Sequence, residues 1–203
     1  ADTYRKIMDH FTPKLWLGMT ATPDKRDDNV EGRNVYEIFN YQIAYEIRLQ
    51  QAMEENLLCP FHYFGITDLS MIGDEEAARD FNMLTSDERV RHIVNQADYY
   101  GYSGDKVKGL IFCSNIKETE ELSAKFNQII NPATGKNFRT VALNGSASEQ
   151  ERQDAFERLA MNEDESSEDR QPLDYIFSVE ILNEGVDIVE VNQVIMLRPT
   201  QSP

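Results

Sequence analysis

An α/β fold, built on a parallel sheet with helices on both faces, is the architecture this sequence predicts. Three observations carry it. From residue 85 onward, short apolar runs alternate with amphipathic stretches of helical period, the order expected of strand–helix–strand units in a parallel sheet. The runs hold few polar positions, as strands buried on both faces do. Sequences of the form S/T/N-x-x-E stand just before the amphipathic stretches and read as helix starts.

Taken in order, residues 4–11 read as a short helix that Pro13 stops. Residues 15–19 (L-W-L-G-M) are expected as a buried parallel strand, whose edge residues 20–23 leave. The charged stretch 24–33 reads as a loop, 35–39 as a helical turn, 43–47 as a strand, 48–56 as a helix and 61–66 as another strand. Residues 68–85 carry no clear pattern. Thr85-x-x-Glu88 is expected as a capping box, with Val90, Ile93, Val94 and Ala97 following at helical spacing. Two glycines within 100–105 break that helix. Residues 109–113 (G-L-I-F-C) read as a buried strand. Asn115-x-x-Glu118 is expected to box the next helix, with Leu122, Phe126, Ile129 and Ile130 on one apolar face and Asn131-Pro132 at its end. Residues 140–143 are a strand. Ser148-x-x-Glu151 caps a third helix with Ala155, Phe156 and Leu159 inward, and 173–178 and 193–197 complete the strands.

Composition narrows the function classes. Asp plus Glu total 36 against 20 Lys plus Arg, a formal charge of −16. Such a balance argues against a broad phosphate-binding surface and leaves room for a narrow strip only. Cys59 and Cys113 both sit in apolar stretches and are expected as buried free thiols, which fits a cytoplasmic protein. No apolar run reaches membrane-spanning length and no signal peptide is visible. The acidic run 162–169 (N-E-D-E-S-S-E-D) reads as a solvated, mobile loop; its spacing and the lack of a turn glycine exclude a calcium loop. His10, His62 and His92 lack metal-ligand spacing, and Gly135-Lys136 lacks the rest of a phosphate loop.

Three short strings remain, each expected at a strand carboxyl end, where open parallel sheets bind ligands. They are L-G-M-T-A-T-P (17–23), F-C-S-N (112–115) and I-L-N-E-G-V-D (181–187). In this order they resemble motifs III, IV and V of superfamily 2 helicases, and L-N-G-S (143–146) with Glu151-Arg152 resembles the next nucleic-acid-facing loop of that family. Within that family the strings resemble those of bacterial DNA helicases related to type I and III restriction motor subunits. The resemblance implies a second RecA-like domain over 58–203 and the tail of a first over 1–57. It places the sequence between motif II and motif VI of a motor, cut at both ends. It implies ATP and Mg²⁺ as cofactors of the whole motor, DNA as partner, and Thr20, Thr22, Glu184, Gly185 and Asp187 in nucleotide binding or coupling. It implies nucleic-acid contacts from Ser114, Asn115, Asn144, Gly145 and Ser146. Two departures stand out. Val189 replaces a usual proline, and Val179 replaces a threonine that contacts nucleic acid in DEAD-box RNA helicases, which favours DNA. The 203 residues hold no G-x-x-x-x-G-K-[ST], no D-E-x-H and no arginine motif, so this chain alone is expected to lack ATPase activity. The alternatives are a non-catalytic RecA-like binding module and a doubly wound small-molecule enzyme; the latter needs a glycine-rich first turn that is absent.

Overall fold

The computed structural model describes residues 2–20, 35–66, 81–179, 181–182 and 188–198. They fall into two compact units, Ala1–Phe64 and Gly65–Pro203.

The first unit holds α1 (Asp2–His10), α2 (Val35–Ile38) and α3 (Leu49–Glu54). The expected helices are present, but the expected strands at 15–19, 43–47 and 61–66 are not: these residues form no ladder. Leu15 is 79% and Met19 89% exposed, and Ile43, Tyr45, Phe61 and Tyr63 are exposed as well. A parallel strand exists only through its neighbours' hydrogen bonds, and no described segment of this unit is a strand. Cys59, expected buried, is likewise exposed. The expected loop at 24–33 lies outside the described residues.

The second unit carries the predicted alternation. After α4 (Phe81–Leu84) come α5 (Asp87–Tyr100), β1 (Gly109–Phe112), α6 (Ile116–Phe126), β2 (Thr140–Leu143), α7 (Glu149–Ala160), β3 (Tyr175–Ser178) and β4 (Gln193–Met196). The strands form one parallel sheet in the order β2-β3-β1-β4. The two-residue period of the strands sorts their side chains between two cores. Ile111, Tyr175 and Phe177 face α5 and α6, meeting Val90, Ile93, Val94, Leu122 and Phe126. Leu110, Leu143 and Ile176 face α7, meeting Ala155 and Leu159. Gly109 is glycine for a packing reason, since a Cβ there would lie 2.3 Å from the Tyr175 ring.

Local details correct the expected boundaries. The cap of α5 is Ser86, not Thr85: its side chain accepts from the Arg89 amide at 3.2 Å, and Arg89 stands where a box would need Glu. α6 ends at Phe126, earlier than Asn131-Pro132, because Ile130 leaves the helical face and bridges Asn137 instead. Only half of the Asn115–Glu118 box forms, since Glu118 turns its carboxylate to Ser114 and Arg89. Ser148–Glu151 is a full box. The acidic run, expected as a solvated, mobile loop, is anchored at Glu163. Glu163–Glu165 is a 3₁₀ turn capped by Asn162, and Glu163 accepts from Nη1 and Nη2 of Arg139. That Arg139 hydrogen bond holds the Glu163 carboxyl below its usual range. Its stabilising contribution is therefore present above the carboxyl's unfolded pKa and is lost as pH falls through the lower folded one.

Cys113, just past β1, is buried as expected, and burial pushes its thiol up to about 12. Thiolate is the reactive form. Native chain is expected to react with a thiol reagent at Cys59 alone, and denatured chain at both cysteines. Rapid native labelling of Cys113, read by peptide mapping, would contradict the burial.

Candidate nucleic-acid interface

All four strands run the same way, and their registers put Phe112, Leu143, Ser178 and Met196 at one level. The residues that follow them share one edge of the sheet. Ser114 and Asn115 leave β1; Asn144, Gly145 and Ser146 leave β2. With β3 between, the two loops stand about 10 Å apart at ordinary strand spacing.

The first loop is built by α6. Asn115 adopts extended backbone and its Oδ1 accepts from the Glu118 amide at 2.9 Å, an N-cap that the Asn-x-x-Glu spacing predicts. The Ser114 amide is turned inward to Glu118 Oε2 at 2.7 Å. Ser114 and Asn115 are exposed, and among the described residues the amides of Ile116 and Lys117 have no hydrogen-bond acceptor, the first-turn donors that a helix start presents to anions.

The second loop is built by Asn144. Its Oδ1 accepts from the Ser146 amide at 2.9 Å and from Ser146 Oγ at 2.6 Å, closing a tight turn ahead of the Ser148 cap. Arg152 reaches back from α7 to the Gly145 carbonyl at 3.3 Å, which puts a cation beside the loop. Gly145 is informative. A Cβ there would meet nothing within 4 Å, and its φ lies outside the left-handed region. Among the described residues neither packing nor backbone geometry asks for glycine, so the open space suits a partner's close approach. Gly145→Val is expected to leave the unfolding free energy within about 0.5 kcal/mol while weakening oligonucleotide binding. Urea melts with anisotropy titrations at low salt would check it; unchanged binding would contradict a contact at Gly145.

Behind β3, Ser178 Oγ donates to the Ile181 carbonyl at 3.0 Å, so the chain bends at once. Leu182 sits at φ 64, a left-handed conformation costly for a branched side chain. Ile181 and Leu182 before the N-E-G-V-D string, and Ile188 and Val191 after it, pack on the α7-side core. Both flanks of the string are thus fixed to the sheet. Glu184, Gly185 and Asp187 lie outside the described residues, as does Thr22; Thr20 is exposed, in the first unit. Val179 is 2% exposed, so its side chain is core and not a surface contact.

Missed from sequence was the ion pair under the first loop. Arg89 Nη1 donates to Glu118 Oε1 at 2.7 Å, with the two side chains 1% and 0% exposed. Helical spacing held the signal: Arg89 is four residues before Ile93, and Glu118 four before Leu122, so both charges fall on core-facing stripes. The opposite, amino edge of the sheet carries Lys106, Lys108 and Arg139; Lys108 and Arg139 are hydrogen-bonded, while Lys106 Nζ is buried and makes no hydrogen bond among the described residues. Arg139 and Lys106 approach Glu163 and Asp174, and Lys108 Nζ donates to the Ala160 carbonyl at 2.5 Å.

Among the described residues no group of three or more His, Cys, Asp or Glu could hold a metal ion, and the sequence has no phosphate loop. Among the described residues no helix is long and apolar enough to cross a membrane.

No curated protein matches the chain. Among solved structures, the Mss116p DEAD-box helicase domain 2 bound to an RNA duplex is similar over 56% of this chain, with a TM-score of 0.37 and 16% identity. The match spans 38% of that chain, well short of its full length. Residues 88–203 match the helicase conserved C-terminal domain, which spans β1 to β4 and both candidate loops. The chain belongs to the helicase C-terminal domain family, and its second unit has that family's RecA-like α/β fold.

Proposed function

We propose that this chain is part of an ATP-dependent DNA helicase or translocase of the restriction and repair type. Its carboxyl sheet edge is the nucleic-acid track, with Ser114 and Asn115 on one loop and Asn144, Gly145 and Ser146 on the other. The family match over 88–203, covering both loops on one edge, carries the reading. Phosphate contacts of this kind come from hydroxyls, amides and helix starts and position a strand without reading its sequence. That suits a motor, which must step along any sequence. A narrow polar strip also reconciles the reading with a charge of −16. DNA is favoured over RNA because the buried Val179 offers no hydroxyl where RNA helicases use one.

In the whole motor, ATP and Mg²⁺ would be held mainly by a phosphate loop and acidic box on another part of the protein, with Thr20, Thr22, Glu184, Gly185 and Asp187 completing or coupling that site. The test is steady-state ATPase of the protein that joins this chain to a phosphate-loop domain, with and without duplex DNA or RNA. DNA-stimulated, magnesium-dependent turnover is the expected result. Binding without turnover would leave a non-catalytic module. Stimulation by RNA alone would overturn the choice of DNA, and turnover by the 203-residue chain on its own would overturn the fragment reading.

A further inference from the structure

We propose that Glu118, held by Arg89, is a positioning residue for nucleic-acid binding: it locks the turn between β1 and α6 so that Ser114 Oγ and the amides after it face a backbone phosphate. This rests on the nucleic-acid reading of the carboxyl sheet edge. Glu118 grips the turn twice. Its amide donates to Asn115 Oδ1 at 2.9 Å, and its Oε2 accepts from the Ser114 amide at 2.7 Å. Its other oxygen accepts from Arg89 Nη1 at 2.7 Å, and the same nitrogen donates to the Leu84 carbonyl at 2.5 Å.

Helix capping does not require this arrangement, because Asn115 already caps α6. Stability does not require it either, since buried ion pairs are often replaced by apolar side chains without loss. What the carboxylate adds is a fixed Ser114 amide. With that N–H turned into the core, the exposed hydroxyl of Ser114 is the group left for a ligand. A lone carboxylate beneath this turn would repel a phosphate; the buried guanidinium of Arg89 cancels its charge. The pair thus does two jobs at once, setting the turn's geometry and leaving its electrostatics neutral. Misplacing contact groups by about 1 Å can cost orders of magnitude in function, so a side chain that touches no ligand can still govern affinity.

The test uses the ¹⁵N-labelled 203-residue chain titrated with single-stranded oligodeoxythymidine at low salt. Wild-type chain is expected to show shifts at Ser114 to Lys117 and at Asn144 to Ser146. The double variant Arg89→Met/Glu118→Leu keeps the Asn115 cap and an apolar core but removes the acceptor for the Ser114 amide. It is expected to keep its sheet amides' dispersion and bind about 10-fold or more weakly, as when supporting residues of a site are lost. Arg89→Lys, which retains the charge and a donor, is expected to stay close to wild type. A folded double variant with wild-type affinity would overturn the positioning role while leaving the interface standing. Absence of shifts at both loops in the wild-type chain would overturn the interface itself, and this inference with it. Should the double variant not fold, hydrogen exchange in wild type decides: protection at Ser114 beyond that of Ile116 and Lys117 supports the lock, and exchange as fast as theirs overturns it.

Discussion

Arg89→Ala is expected to lower the stability of the unit spanning residues 65–203 by about 3–5 kcal/mol, the cost of breaking a buried ion pair from one side. The partners are 1% and 0% exposed, so water cannot replace the lost guanidinium. Glu118 would keep the Ser114 amide as a donor but lose its counter-charge, and the Leu84 carbonyl would lose the donor it has at 2.5 Å. Truncation also opens a void where α5 meets α6. Domains of this size are stable by only about 5–15 kcal/mol, so the loss is a large share of the total. The neighbouring pair of Lys125 with Asp87 is a contrast: Asp87 is 72% exposed, and removing it is expected to matter little. Urea unfolding of the two variants would decide; a loss under about 1 kcal/mol for Arg89→Ala would mean that the pair is solvated in practice.

Asp187→Ala, made in a protein that joins this chain to a phosphate-loop domain, is expected to lower ATPase about 100-fold or more, the range seen when one charge-stabilising group is removed. Unfolding free energy is expected to change by under about 1 kcal/mol, as at exposed sites. Asp187 lies outside the described residues, so the expectation comes from its motif and its anchorage. Ile181, Leu182, Ile188 and Val191 pin both flanks of N-E-G-V-D to the α7-side core. Substituting the acid therefore leaves the packing of those flanks in place, and its loss should register in turnover or nucleotide affinity. Unchanged ATPase would make the string an ordinary turn.

How far the fold was legible in sequence follows from where its stability arises. In the second unit, the alternation of strand and helix rests on local signals that agree with burial. G-L-I-F-C, T-V-A-L and Y-I-F-S are apolar in short runs, and Ser148 and Asn115 cap the helices that follow. The same kind of run failed in the first unit. L-W-L-G-M is as apolar as any of these, yet no described strand pairs with it. Apolar composition permits a strand, and only a neighbouring ladder makes one. One capping box is incomplete where a tertiary bond competes. Glu118 fits a capping box by spacing, but a buried arginine from α5 draws its carboxylate away. The acidic run was misread for a similar reason, because the composition of 162–169 does not reveal that Arg139, distant in sequence, lies beside Glu163. For the candidate site, the residue types and their strand-end positions were legible in Ser114, Asn115 and Asn144 to Ser146. The inward turn of the Ser114 amide and the open space at Gly145 were not, since both depend on what the fold brings close.

The claim that the carboxyl edge of the sheet is the nucleic-acid track is tested most directly by photo-cross-linking. The chain, joined to a phosphate-loop domain and bound to 4-thiothymidine-substituted DNA, would be digested and its cross-linked peptides mapped. The sheet topology offers two edges as rivals, and the amino edge is the one with Lys106, Lys108 and Arg139 close together. Arg139 is already bound by Glu163 and Lys108 by the Ala160 carbonyl, and Lys106 Nζ is buried 3.8 Å from Glu163 and 3.9 Å from Asp174, so they are poorly placed to release counterions from DNA. Cross-links in peptides holding Ser114 to Glu118 and Asn144 to Arg152 are the predicted result; cross-links confined to peptides holding Lys106, Lys108 and Arg139 would contradict it.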